Sequence, residues 1–173
     1  MTSPTPEGFR RGIRIGIDVG SVRVGVARTD PDGVLAVPVA TLARPKAVAA
    51  ARTDLSGLAD LVAEYEPIEL VVGLPLTLAG HEGPAAESVR AYVVDLVAVL
   101  RGRGSLVPIR LLDERLSSAE AARGLRAAGL DARSGRSVVD QAAAVIIVQS
   151  ALDAERATGA PPGTLIDPEQ DHA

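Results

Sequence analysis

The sequence contains no cysteine, which excludes a disulfide framework, a thiolate metal site and a cysteine nucleophile. It also contains no Trp, only one Phe and only two Tyr. Proteins that grip single-stranded nucleic acid by base stacking use several exposed aromatic side chains, and this chain has too few of them. A nucleic-acid partner would therefore be bound through its phosphate backbone.

Long apolar runs are absent as well, so no membrane-spanning segment and no membrane partner are expected. Residues 1–11 contain Pro4, Pro6 and Gly8 but no apolar core, which predicts a disordered N-terminal tail rather than a signal peptide. Together with the lack of cysteine, these features favour a cytoplasmic protein.

The net charge of -4 argues at first against a nucleic-acid partner, but the charges are unevenly distributed. Between residues 101 and 136 there are eight Arg against four acidic residues, a local excess of four positive charges. From residue 151 onward there are five acidic residues and one Arg. The arginine-rich stretch is equally compatible with a solvated surface and with a phosphate-binding one.

Apolar residues make up 47% of the 173 residues and charged residues 23%, the balance of an ordinary globular domain. Periodicity predicts three strands in an antiparallel meander, followed by helix, strand, helix, strand and two more helices. The predicted strands are residues 13–19, 22–26, 34–42, 68–72 and 106–112, and the predicted helices are residues 48–65, 84–101, 117–128 and 138–157. The result is an α/β domain with a mixed five-stranded sheet, in which strands 1–3 are antiparallel. We place the domain at residues 12–157 and expect residues 158–173 to form a disordered acidic tail.

Asp18 is the one charged residue in the apolar run 15–19, immediately before a Gly-Ser turn. A carboxylate at the edge of a core is costly unless it is paired or binds a cation. The alternative is a turn cap on the backbone of Gly20 and Ser21.

Two further acids are candidates for the same site. Glu114 and Asp113 end the fifth strand, and because side chains alternate along a strand only one of them can face Asp18; we favour Glu114. The alternative is an exposed charge cluster formed with Arg115. Asp140 lies in the first turn of the last helix, where it could equally be part of a capping box.

Three such carboxylates suit Mg²⁺ or Mn²⁺, which take their remaining ligands from water and substrate phosphates. Two such ions can activate a water and stabilise the leaving oxygen of a phosphodiester. Arg133 and Arg136, on the loop before Asp140, are candidates for phosphate contacts.

Four blocks of sequence together resemble the YqgF/RuvX family, RNase H-like proteins described as pre-16S rRNA nucleases or Holliday-junction-resolvase-like proteins. The resemblance runs from about residue 13 to residue 152. The blocks are residues 16–27 (GIDVGSVRVGVA), 71–76 (VVGLPL), 113–118 (DERLSS) and 139–144 (VDQAAA).

The resemblance implies a three-layer RNase H-like fold with parallel strands 4 and 5 and helices on both faces of the sheet. It implies that Asp18, Glu114 and Asp140 are catalytic and hold two metal ions, Mg²⁺ or Mn²⁺. Arg23, Arg115 and the turn with Gly73 and Pro75 would lie beside the scissile strand. The loop 77–82 (TLAGHE) departs from the family pattern, which puts its substrate contacts in doubt.

The function implied is metal-dependent cleavage of structured RNA, with pre-16S rRNA 5′-end maturation in ribosomal precursor particles as its setting. The first alternative is a resolvase of four-way DNA junctions, which would act as a two-fold homodimer. A second is a non-catalytic nucleic-acid-binding or transcription-associated module. A third, a sugar-kinase-like ATPase, is disfavoured because those proteins pair two domains of this kind and this chain accounts for one.

Overall fold

The computed structural model describes residues 8–46, 51–116 and 136–166. Its strands are β1 (Arg14–Val19), β2 (Arg23–Thr29), β3 (Ala36–Ala43), β4 (Glu69–Leu74), β5 (Ile109–Asp113) and β6 (Thr164–Ile166). Its helices are α1 (Thr53–Tyr65), α2 (Pro84–Gly102) and α3 (Arg136–Thr158), with a short 3₁₀ turn at Glu114–Leu116. The helix predicted at residues 117–128 lies outside the described residues. None of the described helices is both long and apolar enough to cross a bilayer.

The strands form one mixed sheet in the order β3-β2-β1-β4-β5-β6. The predicted antiparallel meander of β1, β2 and β3 is confirmed, and β4 and β5 continue the sheet parallel to β1. The prediction of five strands is wrong, because β6 adds a sixth strand antiparallel to β5. Only three residues long, β6 is too short to carry a recognisable alternation of apolar and polar side chains.

Two separate cores lie on the two faces of this sheet, because side chains alternate along each strand. One face packs against α1 and α2 through residues such as Ile17, Val72, Leu58 and Leu96. The other face packs against α3 through Val71, Leu112, Ala144, Ile147 and Val148. The predicted helices on both faces are confirmed by these three layers.

Helix boundaries follow local chemistry. α1 begins at Thr53, later than the predicted residue 48, and residues 47–50 lie outside the described residues. It ends at Tyr65, and Glu66 adopts a left-handed conformation with φ of 45° before Pro67. α2 begins at Pro84, whose fixed φ suits the first helical position.

Parts of both predicted disordered tails are structured, namely residues 8–11 and 158–166. Residues 8–11 lie within the predicted disordered tail, yet Phe9 is buried and its ring contacts the guanidinium groups of Arg14 and Arg156. Strand β6 lies within the predicted C-terminal tail 158–173. Residues 1–7 and 167–173 lie outside the described residues.

A buried ion cluster lies at the start of β1 and β4. Glu155 of α3 accepts hydrogen bonds from Arg10 at 2.8 Å and from Arg14 at 2.9 Å. Glu69 accepts from Arg10 at 2.9 Å and from Arg110 at 3.0 Å. Burial acts to raise the pKa of Glu155, but the hydrogen bonds from Arg10 and the charge of Arg14 lower it below its usual value. The cluster fastens the N-terminal segment to the last helix.

Candidate active site

The predicted site acids meet at the edge of the sheet where the parallel strands β1, β4 and β5 end. Asp18 is the penultimate residue of β1, and Glu114 follows β5 directly. Asp140 lies in the second turn of α3, and this helix packs on the face of the sheet that carries Val71 and Leu112. Ligand and catalytic groups commonly collect beyond the carboxyl ends of parallel strands.

Two glycines bring α3 close enough to place Asp140 beside Asp18. Gly25 pairs with Asp18 across the β1–β2 ladder, so the two residues share one face. A Cβ on Gly25 would lie 2.0 Å from the carbonyl oxygen of Asp140, and a Cβ on Gly16 would lie 2.6 Å from that of Ala144. The helix therefore lies directly on bare strand backbone, and Asp140 lies next to Asp18.

A third glycine makes room for Glu114. A Cβ on Gly73 of β4 would lie 2.5 Å from Oε1 of Glu114 and 2.6 Å from Cδ1 of Ile147. Leu112 packs against α3, and Glu114 comes two residues later on the same side. The structure thus turns Glu114, and not Asp113, toward the α3 face and Asp18.

Burial and the neighbouring negative charges raise the pKa values of two of the acids. Burial and the negative charge of Asp140 raise the pKa of Asp18 to about 6. Burial and the charges of Asp18 and Asp113 raise the pKa of Glu114 to about 6. Asp18 is thus the acid that interacts with both of the others, and the repulsion among the three is what a bound cation would relieve.

Arg23 forms an ion pair with Asp140 in the described part of the chain. Its Nε lies 3.2 Å from Oδ2 of Asp140, and both side chains are about one third exposed, at 34% and 28%. The contact is an ion pair without a hydrogen bond, and this buried oxygen accepts no hydrogen bond from the described residues. It is an orphan acceptor that points to a missing partner.

The three carboxylates are suitable ligands for a hard divalent cation, although they do not form a complete coordination shell. Carboxylate oxygens are the ligands that Mg²⁺ and Mn²⁺ prefer, and Mg²⁺ keeps several waters rather than filling its shell from the protein. Within residues 8–46, 51–116 and 136–166, no three acidic or histidine side chains stand close enough to form a finished metal site. Asp18, Glu114 and Asp140 would have to close further on an ion.

Asp113 and Arg115 form an exposed pair beside the site. Nη2 of Arg115 lies 2.6 Å from Oδ2 of Asp113, and the backbone N–H of Arg115 donates to Oδ1 at 2.9 Å. The hydrogen bonds from Arg115 lower the pKa of Asp113 below its usual value. Asp113 therefore holds Arg115 at the exposed rim of the site, formed by Asp113, Arg115 and the loop 77–82. Glu114, in contrast, faces Asp18.

The atypical loop 77–82 folds back over this rim. Leu76 and Glu82 form an isolated bridge, and His81 donates its backbone N–H to Oγ1 of Thr77 at 3.0 Å. Gly80 adopts a φ of +84°, and a Cβ on it would lie 3.0 Å from Nη1 of Arg115. The loop is thus packed against the arginine that the family resemblance places beside the scissile strand.

Other predicted residues are placed only in part. Gly73 lies near the end of β4 and Pro75 follows that strand directly, at the edge where Asp18 lies. Arg136 is the first residue of α3, but its side chain lies outside the described part, as does all of Arg133. The packing role of Gly16 and Gly25 was not predicted from the sequence, although glycine inside a strand often marks a close approach of another backbone.

Comparison with known proteins identifies the family of this chain. The model of the RuvX family, described as Holliday junction resolvase, matches residues 12–154. The chain belongs to the RuvX family. The resemblance inferred from four sequence blocks is confirmed, and this member of the RuvX family is a nuclease.

Relatives match nearly the whole chain. A Streptomyces avermitilis protein named "Putative pre-16S rRNA nuclease" is 53% identical over 160 residues, which cover 92% of this chain and 97% of the relative. A Streptomyces coelicolor protein of the same name is 53% identical over 159 residues, covering 92% and 90%. One from a Mycobacterium species is 52% identical over 153 residues, covering 88% and 86%.

Among solved structures, Thermus thermophilus RuvC in complex with a Holliday junction substrate superposes with a TM-score of 0.59. Sequence identity is 13%, and the match covers 87% of this chain and 99% of RuvC. A further Thermus thermophilus RuvC structure also gives a TM-score of 0.59, at 14% identity. At these identities the likeness shows the fold, and it confirms the predicted RNase H-like architecture.

Proposed function

We propose that this RuvX family member is a divalent-metal-dependent endonuclease that cuts phosphodiester bonds in structured RNA, and that it processes the 5′ end of pre-16S rRNA in the cytoplasm. The observation that carries the proposal is the position of Asp18 between two other carboxylates at one sheet edge, with raised pKa values at Asp18 and Glu114. The choice of RNA draws on the names of relatives that match almost end to end.

Asp18, Glu114 and Asp140 would hold Mg²⁺ or Mn²⁺. When bound, two such ions supply an activated water and stabilise the leaving oxygen of the phosphodiester. The chain's own residues prepare this site: Gly25 and Gly73 keep the acids together, and Arg23 orients the carboxylate of Asp140. Arg115, with the Gly73–Pro75 turn and Arg133 and Arg136, would contact phosphates and position the strand.

The pKa values of Asp18 and Glu114 are compatible with metal binding near neutral pH. With pKa values of about 6, Asp18 and Glu114 are mostly ionised at pH 7 and available as ligands. A bound cation lowers the pKa values of its ligands, so metal binding releases protons and strengthens with rising pH. Cutting should therefore increase between about pH 5.5 and pH 7.

The test compares two substrates under one set of conditions. The purified chain is incubated with a 5′-extended 16S precursor RNA and with a four-way DNA junction, each in Mg²⁺, in Mn²⁺ and in EDTA. We expect metal-dependent cutting of the RNA at a defined position. Failure to cut either substrate with metal present would refute the proposal.

Matched variants then separate the two neighbouring acids. Glu114→Gln should abolish cutting, whereas Asp113→Asn should keep it within about tenfold of the wild type, because Asp113 only anchors the exposed Arg115. The reverse order would show that the second carboxylate ligand is Asp113. The measurement is the single-turnover rate.

A resolvase of four-way junctions is the second candidate, favoured by the description of the family model and by the fold of RuvC. Symmetric cutting of opposed strands requires a two-fold dimer. Symmetric junction cutting by a protein that sediments as a homodimer, with the precursor RNA intact, would support the resolvase instead. Association with ribosomal precursor particles is tested by co-sedimentation.

A further inference from the structure

Arg44 stands out among the arginines near the site because its guanidinium has no acidic partner within the described residues. Its contacts there are a hydrogen bond from Nη1 to the carbonyl oxygen of Gly20 at 2.9 Å and a stacking contact 5.0 Å from the ring centroid of Tyr92. Neither contact neutralises its charge. Arg44 therefore carries a full positive charge that the described part of the protein does not compensate.

Neighbouring arginines show the contrast. Arg23 pairs with Asp140, and Arg115 pairs with Asp113. Arg52 stacks on the same Tyr92 ring at 5.5 Å, but it is paired with Asp54 and Asp95. These side chains have structural partners that a phosphate would have to displace.

The position of Arg44 relates it to the acid pocket. It follows β3 directly, and its backbone N–H donates to the carbonyl oxygen of Val22 at 2.8 Å. Through Gly20 and Val22 it is attached to the turn that follows Asp18. Because strands lie about 4.8 Å apart, the end of β3 is roughly 10 Å from the end of β1 along the sheet edge.

Arg44 and Arg115 consequently lie on opposite sides of the acids, since the sheet order is β3-β2-β1-β4-β5-β6. Arg44 approaches this edge from the α1–α2 side of the sheet, where it stacks on Tyr92 of α2, whereas Asp18 and Asp140 lie on the α3 side. A nucleic-acid strand that contacts both Arg44 and the acids would therefore cross the edge of the sheet from one face to the other. The stack on Tyr92 and the bond to Gly20 hold the guanidinium in place before any ligand arrives, which reduces the entropy cost of binding.

We propose that Arg44 binds a backbone phosphate beside the one that is cut. This rests on the proposed function, because it deepens the description of how the same site holds nucleic acid. The contact reads charge and not sequence, and it applies to an RNA or a DNA backbone alike. It gives the site a second anchor on the β3 side, which the sequence analysis did not assign.

The test measures binding without cutting. Fluorescence anisotropy in EDTA is recorded with a labelled RNA hairpin and, separately, with a labelled four-way DNA junction, across a series of salt concentrations. Removing one arginine–phosphate interaction lowers the slope of log affinity against log salt by about 0.7 to 0.9. For Arg44→Gln we expect that reduction, with an affinity deficit about threefold larger at 50 mM than at 200 mM salt.

Two further variants show whether Arg44 acts on the ligand or only braces the turn. Arg44→Lys keeps the charge and should retain the wild-type slope. Arg103→Gln removes an exposed arginine paired with Asp60 at the end of α2 and should leave the slope unchanged. If the slope falls as far in Arg44→Lys as in Arg44→Gln, or as far in Arg103→Gln as in either, the phosphate contact is refuted.

The outcomes also distinguish this inference from the proposed function. If the wild type binds a probe and Arg44→Gln binds it with the same slope, only the inference on Arg44 fails. If the wild type binds neither probe in EDTA, the inference fails, whereas the proposed function fails only if the cleavage assay with Mg²⁺ or Mn²⁺ also gives no product. A reduced slope with the hairpin alone, or with the junction alone, identifies which backbone Arg44 contacts.

Discussion

Gly25 is the position where a single methyl group should damage the site most. A Cβ there would lie 2.0 Å from the carbonyl oxygen of Asp140, 2.5 Å from its carbonyl carbon and 3.2 Å from its Cβ. Non-bonded heavy atoms prefer a separation of about 3.5 Å, so β2 and α3 would have to move apart by about 1.5 Å in Gly25→Ala. The atoms displaced belong to Asp140 itself.

The magnitude follows from two independent effects. Overpacking a close interface costs about 1 to 3 kcal/mol of unfolding free energy. Misplacing a catalytic group by about 1 Å costs on the order of 100-fold in rate. We therefore expect Gly25→Ala to fold, to be less stable by about 1 to 3 kcal/mol and to cut about 100-fold more slowly.

The assay is a single-turnover cleavage rate with saturating Mg²⁺, paired with urea unfolding of the same preparation. Gly102→Ala is the matched control, because a Cβ at that position meets nothing within 4 Å. It should cut at the wild-type rate and gain about 0.4 to 1 kcal/mol in stability. Cutting by Gly25→Ala at the wild-type rate would refute the reasoning that bare backbone at this position sets the place of Asp140.

Three further changes probe the acids and the buried ion cluster. The folded pKa of Asp18 is raised to about 6, so its ionisation destabilises the metal-free fold as the pH rises through 6. In EDTA, Asp18→Asn should therefore unfold at higher urea than the wild type at pH 8, with the gain shrinking toward pH 4; a loss of stability at pH 8 would contradict this. Gly73→Ala should weaken Mn²⁺ binding by on the order of 10-fold in calorimetric titration, because its Cβ would meet Glu114 at 2.5 Å; an unchanged affinity would count against a ligand role for Glu114. Glu155→Ala should lower the unfolding free energy by about 3 to 5 kcal/mol, since it removes the carboxylate that buried Arg14 contacts at 2.9 Å and leaves it only the ion pair with Glu69 at 3.5 Å. Asp153→Ala on the exposed side of α3 should change the unfolding free energy by under about 0.5 kcal/mol, and equal effects of the two changes would refute the importance of the cluster.

Local patterns in the sequence were enough to predict most of the sheet and the opposite facing of Asp113 and Glu114, but not which of the two faces Asp18. Alternation along β5 separates Asp113 from Glu114, and the structure places Leu112 on the α3 face two residues before Glu114. The apolar run around Asp18 likewise identified β1. These features depend on neighbours one or two residues away, which a sequence displays directly.

Long-range pairing could not be predicted in the same way. Glu155 counted as one of the acids of a tail, yet its side chain is 1% exposed and bonds Arg14, which is 141 residues earlier. Charged residues usually indicate a solvated surface, and nothing local distinguishes this Glu from Asp153. Arg44 was missed for a related reason: its significance lies in having no carboxylate around it in the described structure, which only the folded arrangement reveals.

The way α3 rests on Gly16 and Gly25 has a consequence for how this protein could be altered. The height of the helix above the sheet is set by the main chain of Asp140 and Ala144 and the side chain of Val148 against bare strand backbone, and the strand has no side chain at these two points. Any substitution of Gly16 or Gly25 would increase the distance between α3 and the sheet, and none could adjust it in small steps. Adaptation toward a different nucleic acid would instead involve residues around the site, such as 77–82 and the end of β3, while the spacing between α3 and the sheet stays fixed.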